Sequence, residues 1–422
     1  MSNKIWIGLA FLALLCNPLA PRVDLSAGAG DSRSVSRAPE YNQDIRPIFA
    51  ENCFACHGPD SASRKAGLRL DIREEALKGQ AFVPGNPEKS ELIRRVFADK
   101  ADKRMPPRKS YKTLTAAQKE TLKRWVAAGA EYQLHWSFLP PKRPPLPAVK
   151  NKTWARNAID YFILAELEKQ GLEPSVEADR RTLARRLSLD LTGLPPEPAE
   201  VEAFVNDNRP DAYEHFVDQL LKSPHWGENR ARTWLDAARY ADTHGIHFDN
   251  YREIWAYRDW VIDAFNRNLP FDQFTIEQLG GDLLPNRTLD QLVATGFGRC
   301  NITTNEGGTI PEEYLVLYTR DRTETVARVW LGLTANCTVC HDHRHDPLSQ
   351  KEFYEMAAFF NNTTQGAMDG NIKDTPPIIF VPQRQDRPRW DMLAKELADG
   401  RKKAEARKQH ALDDLVGFAV ER

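Results

Sequence analysis

Cys53-Phe54-Ala55-Cys56-His57 is the stretch from which the fold of the first part of this chain can be read. In a C-x-x-C-H run the two thiols can add to the haem vinyl groups as thioethers, and the adjacent histidine stands ready as the proximal nitrogen ligand. The spacing is geometric: two intervening residues match the vinyls on one porphyrin edge, and His57, directly after Cys56, turns its imidazole under the ring. Upstream, Ile45, Ile48, Phe49 and Cys53 recur at three-four spacing, so an amphipathic helix should deliver the cysteines at its end. Pro47 falls in the first turn of that helix, where its missing N–H costs nothing, and Gly58-Pro59 breaks the chain after His57. Downstream, Arg104-Met105-Pro106-Pro107 offers a thioether sulfur for the sixth iron position, on a loop stiffened by two prolines. Met105 is the only methionine in this part of the chain; the others are Met1, Met356, Met368 and Met392. Thr115-Ala116-Ala117-Gln118 reads as a capping box, opening a helix through Leu122, Trp125 and Val126 that stops at Gly129-Ala130.

The five-residue signature recurs as Cys337-Thr338-Val339-Cys340-His341. Three readings stay open for it: a second haem on Cys337 and Cys340 with His341 as iron ligand, a Zn²⁺ site using two of His341, His343 and His345, or a simple disulfide. No methionine comes after it in an obvious loop, because Met356 falls on the apolar face of the next helix. A distal ligand would then be a histidine such as His244 or His247, or the iron would be five-coordinate; a histidine in a turn is ordinarily solvated. Asp342, Asp346, Glu306 and Glu312 either handle protons beside an open iron or form ion pairs with Arg299, Arg320 or Arg322. Cys300 reads as a buried thiol.

The length of 422 residues corresponds to two or three domains, and the 41% hydrophobic content suits a folded protein. Lys+Arg 58 against Asp+Glu 59 gives a formal charge of -1, so no global field favours nucleic acid or anionic lipid. At the amino terminus, Lys4 and the apolar run Ile5 to Leu15 read as an export signal, too short for a settled membrane span. Cleavage fits Pro18-Leu19-Ala20 or Ala27-Gly28-Ala29, and an uncleaved anchor is the only membrane attachment expected. Removing the signal takes Cys16 with it and leaves two cysteine pairs plus Cys300. Such an odd number is coherent in an oxidising compartment if the pairs are committed to thioethers.

We expect a mainly α protein: a signal peptide and lead at 1–29, a small helical domain at 41–133, a Pro-rich linker at 134–151, a larger helical domain at 152–363, and a loop with a charged helical tail at 364–422. Five prolines between His135 and Pro147 favour a semi-rigid polyproline II spacer. In the second domain, helical spacing places Ala158, Tyr161, Phe162, Leu164 and Leu167 on one face, and Thr182, Leu183, Leu187 and Leu191 on another. Similar periodicity covers 211–222, 228–242, 252–267 and 311–332. The tail carries alternating charges along Lys395 to Lys408, and no helix stop lies near Arg422, so further domains downstream are expected.

The first domain, with Cys53-Phe54-Ala55-Cys56-His57-Gly58, Arg104-Met105-Pro106-Pro107 and the closing Leu122 to Ala130 helix, has the element order of a small class I cytochrome c. It resembles the planctomycete cytochrome c domain. Residues 152 to 363 resemble the cytochrome-like domain of unknown function that comes after it in such proteins, through Tyr257-Arg258-Asp259-Trp260-Val261-Ile262, Gly281-Asp282-Leu283-Leu284-Pro285, Glu306-Gly307-Gly308 and Cys340-His341-Asp342-His343-Arg344. The resemblance implies an exported, periplasmic or cell-surface c-type cytochrome, with one haem c or two. It carries electrons to a partner the sequence does not name. The alternatives are a diheme enzyme of peroxidase or oxidase type, which needs an open iron, and a non-redox or zinc-holding module.

Overall fold

The computed structural model describes residues 37–246, 248–370 and 372–420; the expected signal segment and His247 lie outside them. The protein is mainly α. Among the described residues only isolated β-bridges pair, Val83 with Asn86, Thr243 with Tyr251 and Thr304 with Met368. Two compact units form. One holds the residues up to His57 together with Ala66–Trp136, the other Gly58–Lys65 together with Ser137 onward.

The first unit is built from α1 (Arg46–Asn52), α2 (Phe54–His57), α3 (Arg73–Lys78), α4 (Glu91–Val96) and α5 (Ala116–Ala127). A π turn at Tyr41–Ile45 leads into α1, and Pro47 occupies its first turn. The three-four apolar spacing buries Ile45, Ile48 and Phe49 together. At α5, Thr115 Oγ1 accepts from Gln118 N while Gln118 Oε1 accepts from Thr115 N, so both halves of the capping box form. Such a box is worth about 1 kcal/mol. The helix ends because Gly129 and Ala130 both take positive φ, with Ala130 N returning to Trp125 O. Trp125 is the hub of the core. Its ring meets Tyr41, Phe49, Phe82 and Tyr132 at centroid distances of 6.2, 5.7, 5.3 and 5.5 Å, and its Nε1 donates to Glu131 O. Aromatic contacts of this kind add about 0.5–1.5 kcal/mol each beyond burial.

The second unit contains α6 (Ala158–Lys169), α7 (Arg180–Thr192), α8 (Pro198–Val205), α9 (Ala212–Leu221), α10 (Pro224–Ala238), α11 (Trp255–Asn266), α12 (Phe271–Gly280), α13 (Leu289–Ala294), α14 (Pro311–Val326), α15 (Gln350–Ala357) and α16 (Arg387–Val420). Leu183, Leu187 and Leu191 of α7 pack on Phe204 and Phe216 as a small core. A larger core surrounds Tyr257, Trp260 and Val261 of α11. There α10 crosses α11 at Gly227, where a Cβ would come within 2.4 Å of Ile262 O and Gly227 N donates to Asn266 Oδ1, so only glycine fits the crossing. Between α14 and the second cysteine pair the chain makes a π turn, Ala327–Leu331, and ends it at Gly332 with positive φ. Trp330, in that turn, packs on Trp234 and Phe297 and donates to Thr275 Oγ1.

Not every expected face is buried. Along α6 only Leu164 goes inside, while Phe162 and Ile163 stay exposed, so periodicity there overstates the packing. The short helices α8, α12, α13 and α15 lie outside the segments singled out by periodicity. Residues 139–147 form no helix or strand. No helix among the described residues is long and apolar enough to cross a membrane.

Candidate haem site

The first signature lies where α1 meets α2. Cys53 closes α1, its N–H donating to Phe49 O at 2.7 Å, and its carbonyl accepts from both Cys56 N at 3.0 Å and His57 N at 2.8 Å. This tight turn brings Cys53, Cys56 and His57 within one turn of chain. His57 O in turn accepts from Leu70 N at 2.8 Å, which pins the end of α2 to a buried leucine. Both sulfurs are thiols and not a disulfide. Burial, reinforced by the neighbouring Cys56, pushes the Cys53 thiol up to about 12, so it is neutral at physiological pH. Cys56 faces outward and His57 is half-buried. On the far side of the loop, Met105 N donates to Arg95 O at 3.1 Å, which anchors the half-buried methionine just beyond α4, ahead of buried Pro106. Two thiols, an imidazole and a thioether in one small helical unit are the donor types that a covalently attached haem uses.

In the second unit, Cys337 lies in the short helical stretch Ala335–Val339, with Cys340 directly after it; both are exposed and unbonded to each other, so no disulfide forms. His341 Nδ1 donates to Asp342 O at 2.8 Å, so the ring nitrogen that remains for a metal is Nε2. Among the described residues no group of three His, Cys, Asp or Glu is gathered to hold a metal ion. At His343, Nδ1 accepts from Asp346 N at 2.8 Å and His345 N at 3.2 Å, so that nitrogen is committed to the turn. The same acceptance argues against an ion pair with Asp346, 3.7 Å away, because a protonated Nδ1 could not take those N–H groups.

Two expectations need correction. His244 is neither a solvated turn histidine nor a distal ligand. It is 1% exposed; Nε2 meets Ile372 O at 3.2 Å and Nδ1 meets Thr303 Oγ1, which itself donates to Asp369 Oδ2 at 3.1 Å. Both ring nitrogens are therefore held inside a polar core. Nor do Arg299, Arg320 and Arg322 pair with Asp342, Asp346, Glu306 or Glu312. Arg320 takes Glu324 from its own helix, Arg322 bonds Gly298 O, Asn301 Oδ1, Thr363 Oγ1 and Gln365 Oε1, and Arg299 bonds Thr375 O. Cys300 is buried as expected, with its thiol pushed up to about 12 by desolvation.

A small all-helical unit with an attachment signature on its first helices and a methionine loop defines a cytochrome c-like domain. The family model Planctomycete cytochrome C matches residues 53–109, and a second, described as Protein of unknown function (DUF1549), matches residues 158–365. No curated protein and no solved structure matches the chain.

Proposed function

We propose that this chain is an exported electron carrier whose first unit holds haem c through Cys53 and Cys56, with His57 and Met105 as the iron ligands. The observation that carries this is the pair of unbonded thiols and the imidazole on one helical turn, pinned by Leu70, inside a unit that matches a cytochrome family. Bound haem supplies a one-electron iron couple at a potential that His/Met ligation raises relative to bis-His. The chain's own residues do the rest. The Trp125 core fixes α1 and α2 against α5, Leu70 N fixes the position of His57, and the Arg95 carbonyl with Pro106 fixes Met105. Exposed Ala55 and Cys56 leave one edge of the site at the surface for a redox partner. Export rests on Lys4 and the apolar run after it.

The same reading extends to a second haem on Cys337 and Cys340, with His341 Nε2 as its iron ligand. Thiol counting tests both sites together. In protein matured in a cytochrome c-competent host, cleaved of its signal and then denatured, titration with a thiol reagent should find only Cys300. Three reactive thiols would reject haem at one of the two signatures, and five would reject both.

Met105→Ala should lower the midpoint potential by on the order of 0.1 V, a fraction of the ~0.8 V that axial ligation spans. It should also open the iron to carbon monoxide. An unchanged visible spectrum and midpoint would remove Met105 from the ligand set.

A further inference from the structure

The second unit contains a cavity of ≈ 460 Å³ that none of the haem chemistry uses. Its size falls within the ~300–1,000 Å³ of small-molecule sites. One end of it is the start of α11, where Ile254 supplies no side-chain cap to the first turn. A helix start of this length presents N–H groups and the positive end of the macrodipole to whatever fills the space before it. Two guanidinium groups line the same end. Arg252 is 8% exposed; its Nη1 donates to Asn301 O at 2.8 Å, while its Nε has no hydrogen-bond partner among the described residues. Arg299 donates from Nη2 to Thr375 O at 2.9 Å, and its buried Nη1 likewise has none.

Arg252, Arg299 and Arg322 make their hydrogen bonds to neutral oxygens, although burial of guanidinium groups ordinarily demands a carboxylate or phosphate partner. Asp369 acts on Arg252 and Asp321 on Arg322, but neither carboxylate lines the cavity. Burial and mutual repulsion pull Arg299 down to about 10, and burial pulls Arg322 to about the same value. At the rim, Lys373 is matched by Glu253 at 3.1 Å, and Asp374 adds one more carboxylate. The lining therefore carries Arg252, Arg299 and Lys373 against Glu253 and Asp374, a surplus of one positive charge. The remaining wall is apolar: Ile254, Leu292, Val293 and, at the exposed mouth, Ile378 and Phe380.

We propose that this cavity is a binding site for a small organic monoanion, a carboxylate whose head group meets Arg252, Arg299 and the α11 start and whose apolar body lies against Ile254, Ile378 and Phe380. A single surplus charge suits a monoanion, and the apolar wall selects against inorganic phosphate. None of the lining residues belongs to either cysteine signature, so the site stands whether or not the chain carries electrons.

Calorimetric titration of the full chain with benzoate and with hexanoate tests it, using benzamide and inorganic phosphate as comparators. At least one carboxylate should saturate a single site, benzamide and phosphate should not, and Arg299→Gln should raise Kd at least about tenfold, as loss of a charge-assisted contact does. Should Arg299→Gln fail to fold, Ile378→Glu at the exposed mouth keeps the test open, because its carboxylate should exclude the probes without touching the core. Saturation by neither carboxylate would overturn the proposal. So would equal binding of benzamide, tighter binding of phosphate, or variants that bind as the parent does.

Discussion

Protein carrying Cys53→Ala together with Cys56→Ala is expected to retain one covalent haem fewer per chain than the parent after acid-acetone extraction, as read from the pyridine haemochrome. The effect should be all-or-none, because a thioether is a covalent bond and the buried, neutral Cys53 thiol has no substitute in its own unit: among the described residues the remaining cysteines are Cys300, Cys337 and Cys340, all of the second unit. The parallel variant Cys337→Ala with Cys340→Ala separates the sites. If the parent holds two haems, each double variant should hold one, and the visible spectrum of each should report a single ligation type. A Cys53/Cys56 variant with undiminished extracted haem would disprove attachment at the first signature.

Trp125→Ala should be the most damaging single change to the first unit. The indole is 1% exposed, touches four other aromatic rings and makes a hydrogen bond to Glu131 O, so truncation leaves a large cavity and an unanswered carbonyl. Removal of a buried Trp costs about 3–5 kcal/mol, comparable with the whole stability of a small domain. Apoprotein with this change should therefore lose the first unit's share of the near-ultraviolet signal and become sensitive to protease between residues 41 and 133, while haem-loaded protein resists better, since a ligand bound only by the native state stabilises it. A loss below about 1 kcal/mol in urea unfolding would show that the aromatic cluster is not the organising core.

Much of the first unit is legible in the sequence because its determinants are local. The run Ile45, Ile48, Phe49 and Cys53 encodes α1 directly, Thr115 and Gln118 announce the start of α5, and Gly129 marks its end. The cysteine pair and His57 need only one turn of helix to come together. The polar interior of the second unit is different. His244, Thr303 and Asp369 meet across 125 residues of chain, and nothing in the neighbourhood of any one of them signals the other two. Turn placement suggests a solvated His244, yet tertiary burial decides otherwise. Arg299 and Arg322 mislead for a related reason. Counting nearby carboxylates pairs them with Asp342 or Glu306, whereas the fold directs them to carbonyl and amide oxygens of a buried loop, and the charge is left for something else to answer. The cavity beside α11 comes from segments near 254, 299 and 378, and a site assembled from three distant pieces leaves no motif.

The wide turn at Ala327–Leu331 sets the phase of the segment beyond it. An α-helix advances about 100° per residue, so removing one residue there to restore regular winding would swing every later position by roughly that angle. Trp330 would leave its slot between Trp234 and Phe297, and the segment leading to Cys337 would start from a different azimuth. The extra residue thus works as an angular offset that keeps the tryptophan inward up to Gly332, where the winding ends.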